Sequence, residues 1–160
     1  MEPEIVRISG KKLVGKRLNM SLADNSTAAL WRSFMPERNR IAHRLNAELI
    51  SMRVYQVPTV LSDPEQRFDK WAAAEVSDFE AIPDGMESFV LPGGLYAVFH
   101  YKGLNTDDRI YRYIYGDWLP ASDYLLDERP HFEVLGARYR NNDPDSEEDI
   151  WIPVKPKSGG

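Results

Sequence analysis

The chain has 160 residues, 42% hydrophobic and 28% charged, which suits one globular domain with its own core and excludes a disordered chain. A net charge of −5 argues against nucleic acid as a direct partner, because phosphate binding needs a dense basic surface. With no cysteine there is no disulfide, thiolate nucleophile or sulfur-ligated metal. No apolar run approaches the roughly 20 residues of a membrane span, and "MEPEIVRISG" lacks the basic start and apolar core of a signal peptide, so no membrane partner and a cytoplasmic location are expected.

In chain order, "KKLVGKRLNMSL" (11–22) reads as a first strand through Leu13, Val14 and Leu18. Asp24, Asn25 and Ser26 offer caps for a helix over "TAALWRSFM", with Leu30 and Phe34, and Trp31 and Met35, at i,i+4. Pro36 stops or kinks it. The basic stretch "RNRIAHR" (38–44) reads as a solvated loop or helix end. "LISMRVYQV" (49–57) and "KWAAAEVSDF" (70–79) read as strands. "MESFVLPGGLYAVFHYKG" (86–103) reads as two strands about a Pro92-Gly93-Gly94 turn. Thr106 caps a second helix, with Asp107 and Asp108 in its first turn and Ile110, Ile114 and Trp118 along one side; Pro120 ends it. "HFEVLGARY" and "DIWIPVKP" are the closing strands, joined by the polar turn "NNDPDSEED".

The two halves match in order: strand, helix, strand, strand, with "LWRSFMP" and "YGDWLPA" both ending an aromatic helix near a proline. The expected fold is α+β: one antiparallel sheet system, both helices on one side, and a groove between the halves free for a ligand. The domain is expected over 1–156, repeat one about 4–80 and repeat two about 86–156, with a flexible tail at 157–160.

"KKLVGKRLNMSL", "LWRSFMP", "WAAAEVSDF", "FVLPGGLYAVFHYKG", "YIYGDWLP", "RPHFEVLGARY" and "EEDIWIPVKP" together resemble the GyrI-like small-molecule-binding domain. This is the effector-binding fold of AraC- and MerR-type regulators such as Rob and BmrR. The resemblance runs from about residue 4 to 156. It implies two SH2-like β-α-β-β repeats about a pseudo-twofold, with a central groove for lipophilic, often cationic compounds, lined by aromatic walls and a buried Glu. By position that acid is Glu133. Regulators of the family carry a DNA-binding domain ahead of this fold. Only about a dozen residues precede the first core strand here, so a stand-alone binding domain for sensing or sequestration is expected. The resemblance also admits a hydrolase of strained, cyclopropane-bearing natural products, with Glu133 or Glu148 activating water, and a protein-inhibitor module of the gyrase-inhibitor type. No cofactor is implied.

The residues alone leave the acid's role open, and the family position assigns it to the groove. Glu133 is a charge set among Phe132, Val134 and Leu135, pointing at water, pairing with Arg53 or Arg138, or facing a pocket. Burial raises a carboxyl's pKa and lets an incoming cation restore its charge. Glu75 interrupts "AAAEVS" in the same manner, and Glu148 is the second acid to test. Trp118 and Trp151 are the expected ligand walls, with Tyr55, Phe99, Tyr101 and Tyr115 behind them. His131 reads as a surface histidine or a proton relay to Glu133. His43, His100 and His131 have no metal-ligand spacing, and no metal is expected.

Overall fold

The computed structural model describes residues 2–158. The elements are β1 (Glu4–Met20), α1 (Thr27–Phe34), β2 (Leu49–Tyr55), β3 (Phe68–Val76), β4 (Glu87–Lys102), α2 (Arg109–Tyr113), β5 (Tyr124–Leu126), β6 (His131–Leu135) and β7 (Glu147–Pro156). All strand pairs are antiparallel, in the order β4-β1-β3-β2-β6-β7-β5. An extra β4–β7 pairing joins the ends, so neighbours run from β4 through β1, β3, β2, β6 and β7 back to β4.

The helices begin and end for local reasons. Asn25 accepts the Thr27 N–H (2.9 Å) at the start of α1. Pro36 does not end the chain's winding but tightens it into a 3-10 segment, Met35–Arg40. Asp107, not Thr106, receives the Arg109 N–H (3.0 Å) at the start of α2. That helix then widens into a π-helical segment (Ile114–Trp118). It carries Pro120 inside its last turn, Leu119–Ala121, because a proline early in a turn lacks only an N–H that needs no partner.

Pro92-Gly93-Gly94 is not a turn: β4 runs straight through it, Pro92 opposite Gly10 and Gly94 opposite Ile8. A Cβ on Gly93 would lie 2.6 Å from the Ile8 carbonyl, so this glycine serves close strand approach rather than reversal. "GARY" (136–139) turns away after Leu135, and β5, a short edge strand, has no signal strong enough to be read. Of the tail, Lys157 bonds the carbonyls of Asp123 (2.9 Å) and Pro120 (3.0 Å), while 159–160 lie outside the described residues.

Register sorts the side chains onto two faces. One lateral row reads Ala72, Ser51, Glu133, Ile150, Phe99 across β3, β2, β6, β7 and β4. Leu30 and Phe34 of α1 pack over Ala72 and Ala74 at one end of this face. Ile110 and Ile114 pack over Phe99, Ile150 and Ile152 at the other. Both helices therefore cover the same face, and Ser51 and Glu133 lie in the gap between them. The adjacent row, Trp71, Met52, Phe132, Trp151, Val98, points to the opposite face. There it forms a second core with Leu13, Leu91 and Tyr96. No helix among the described residues is long and apolar enough to cross a membrane.

Candidate functional site

The gap between the helices is a groove lined by Ser51, Arg53 and Tyr55 of β2, His131 and Glu133 of β6, and Tyr111 of α2. Strand alternation explains the set: 51, 53 and 55 share a face, as do 131 and 133. Tyr111 and Tyr115 lie four residues apart and stack with centroids 6.5 Å apart. The Tyr111 hydroxyl donates to Glu133 Oε1 at 2.5 Å, and the Tyr115 hydroxyl meets His131 Nδ1 at 3.0 Å. Tyr111 thereby borders the groove, with Tyr115 stacked behind it. The free space is about 10 Å³, room for one water.

The charges are coupled. Glu148 is the diagonal neighbour of Glu133, two residues from Ile150, which lies directly opposite Glu133. It is 7% exposed, and its Oε2 is buried without a partner. Burial and the charge of Glu133 push the Glu148 carboxyl up to about 9, so it carries a proton at neutral pH. Burial pushes Glu133 upward too, but Lys70, the Glu148 contact, Tyr111 and Arg53 outweigh it, holding Glu133 below its ordinary value. Lys70 is buried beside Arg53 in the register and is pushed down to about 8 by burial and by that arginine. Burial, with Arg53, pushes His131 down to about 3, keeping the imidazole neutral.

The structure brings together Glu133, Glu148, Tyr55 and Tyr115 from the expected set. Tyr55 stands edge-on to His131, centroids 5.1 Å apart. Trp151 also borders the groove, although its ring stacks on Phe132 at 5.1 Å beside the second core. The other expected residues lie elsewhere. Trp118 packs edge-on to Phe99 (5.1 Å) and stacks on Tyr124, so both Trp118 and Phe99 are core beneath α2. Glu75 points away from the helices and pairs with Lys11 at 3.3 Å. Tyr101 donates to the Leu104 carbonyl (2.7 Å) and lines a separate hollow with Asp107 and Arg109. His131 is buried, not a surface residue. His43 comes within reach of Asp78 (3.7 Å) and Glu80 at the exposed end of β3, a grouping that spacing does not show.

Arg53, Lys70 and Tyr111 were not among the expected site residues. The signal for Arg53 is the one that marks Glu133, a charge inside an apolar strand. Neither Arg53 nor Arg138 forms an ion pair with Glu133; Arg138 pairs with Glu147.

Comparison with known proteins agrees with this architecture. The family model described as "GyrI-like small molecule binding domain" matches residues 1–155. The transcriptional regulator BrlR of Pseudomonas aeruginosa is 28% identical over 158 residues. That match covers 96% of this chain and 56% of the relative, so the chain spans about half the length of the curated relative it matches. Among solved structures, SAV2435 bound to tetraphenylphosphonium superposes with a TM-score of 0.68 at 17% identity, covering 97% of this chain and 94% of that one. A hydrolase from Listeria innocua superposes with a TM-score of 0.60 at 10% identity, covering 96% of this chain and 92% of that one. At these identities the structural likeness establishes the fold alone.

Proposed function

Because the chain belongs to the GyrI-like small-molecule-binding family, we propose that it takes a lipophilic small molecule into the groove between α1 and α2, for sensing or sequestration. The observation that carries this reading is the Tyr111–Glu133 hydrogen bond, 2.5 Å long. A partly buried carboxylate held by a phenol is a polar anchor at the floor of an aromatic slot. Tyr55, Tyr111 and Tyr115 supply the apolar walls. The cationic preference that the family resemblance implies has less support. Lys70 and Arg53 already stand near Glu133 and offset its charge.

The test is titration with tetraphenylphosphonium and with a neutral aromatic probe, 2-naphthamide. At least one should bind saturably at one equivalent, and Tyr111→Ala should weaken it at least ten-fold while the melting transition persists. Binding indifferent to both Tyr111→Ala and Glu133→Gln would place the ligand elsewhere.

A second reading is supported by the same carboxyl pair. One protonated and one ionised acid in a single site is the arrangement that general acid–base hydrolysis uses. A hydrolase should add water to a strained cyclopropane electrophile catalytically, and Glu133→Gln and Glu148→Gln should each abolish turnover.

A further inference from the structure

Two nitrogen-bearing side chains in the groove, Arg53 and His131, have no carboxylate within hydrogen-bonding reach among the described residues. Arg53 lines it with its guanidinium over the Phe68 ring (5.3 Å) and one hydrogen bond, 3.3 Å, to the Tyr55 hydroxyl. Among the described residues it forms no ion pair, whereas Arg17, Arg109 and Arg129 each hold a carboxylate. Glu133 acts on this guanidinium only at longer range, so its fork keeps several N–H groups in one plane with no carboxylate bonded to them.

His131 adds a second unmet donor. Its Nδ1 faces the Tyr115 hydroxyl at 3.0 Å. We assign the phenol as donor and Nδ1 as acceptor, which puts the ring proton on Nε2. That Nε2 is buried and has no partner, on a residue only 6% exposed. Arg53 and His131 are direct cross-strand partners on β2 and β6. Their side chains leave the sheet side by side, about 4.5–5.5 Å apart at Cβ.

We infer that the ligand of this groove carries an acidic oxygen group, a carboxylate on a lipophilic aromatic body, which docks on Arg53 and His131 while the body lies under Tyr111 and Tyr115. The inference rests on the groove being the ligand site, and it names the ligand's chemistry. A carboxylate accepts from a guanidinium fork and an imidazole N–H at once, which neither a neutral amide nor a cation does equally well. It enters where Arg53 and Lys70 leave positive charge that Glu133 alone does not cancel, since Glu148 holds its proton. A purely cationic ligand meets those same two residues as repulsion.

The experiment uses the intact protein at pH 7 with three probes: 2-naphthoate, 2-naphthamide and tetraphenylphosphonium, titrated calorimetrically. Expected is at least ten-fold tighter binding of 2-naphthoate than of 2-naphthamide. Arg53→Gln should erase that difference by weakening 2-naphthoate at least ten-fold more than it weakens 2-naphthamide. Arg53→Lys, which keeps charge but loses the fork, should restore only part of it. Should Arg53→Gln fail to fold, the wild-type ratio and Arg53→Lys decide. If 2-naphthamide or tetraphenylphosphonium binds in the groove and 2-naphthoate binds no better, the inference falls and the small-molecule reading stands. If none of the three binds, both fall.

Discussion

Glu133 and Glu148 stand diagonally across the β6–β7 ladder, and one proton serves the two carboxyls. The arrangement fixes how stability depends on pH. The raised Glu148 carboxyl binds its proton more tightly when folded, so its contribution is complete below about 4.5 and is lost as pH rises toward about 9. Lys70, pushed down to about 8, works in the opposite direction above that pH. Between pH 6.5 and 8, wild type should lose stability relative to Glu148→Gln by up to about 1.4 kcal/mol per pH unit. Paired denaturant titrations across that window measure it. Parallel curves for the two proteins would contradict a shared proton.

His131 governs the acid side. It must charge on unfolding but stays neutral when folded down to about 3, so stability falls as pH drops from 6.5 toward 3. Glu148 opposes this slope above about 4.5. His131→Phe should therefore shallow acid unfolding most clearly below pH 4.5, as followed by circular dichroism. An unchanged acid profile would mean that the imidazole is protonated inside the fold.

Tyr111→Phe removes the donor to Glu133 and nothing else from the stack. A hydrogen bond to a charged group contributes about 1.5–3 kcal/mol when buried. The groove mouth admits water, so the loss should fall at the lower end, about 1.5 kcal/mol by chemical denaturation. Its companion Tyr115→Phe, which leaves His131 Nδ1 without a donor, should cost a comparable amount. Because the two rings stack, the double variant should depart measurably from the sum of the single effects.

Ala72 and Ala74 are fully buried where Leu30 and Phe34 of α1 press on the sheet. Ala74→Leu inserts side-chain volume with no space to receive it and should cost about 1–3 kcal/mol. Glu75→Gln, one residue along but facing the other way, breaks only the Lys11 pair and should cost under about 1 kcal/mol. Melting temperatures of the two variants test which face the helix covers.

The site was legible in the sequence as far as alternation reaches. Glu133 stands out as an acid between apolar neighbours, and Arg53 in "LISMRVYQV" does so equally. Its role as a groove donor is hidden because a lone charge in a strand does not reveal whether a partner faces it. Trp151 shows a second limit: its alternation with Glu148, Ile150 and Ile152 turns its ring toward the second core, yet the residue still borders the groove. Trp118 shares the Phe99 core because the π-helical segment, a feature without a sequence signature here, turns it inward. Pro92-Gly93-Gly94 has the composition of a turn, but backbone proximity to Ile8 makes the same glycine demand. The order strand, helix, strand, strand holds in the first half, β1-α1-β2-β3, whereas the second half adds the short β5 after its helix.

β4 pairs with β1 over residues 87–98 and with β7 over 96–102, so it belongs to both halves of the molecule. Tandem units usually part at a seam, and here the seam is the interior of a strand. Fraying of either half strips the other of its hydrogen-bonding edge. The halves then have no independent melting points, and a fragment ending at Pro92 is one sheet with a truncated edge rather than a finished repeat. Protease should spare "LPGGL" in the native protein and cut first in the segment 56–67, where the backbone between β2 and β3 is not tied into any ladder.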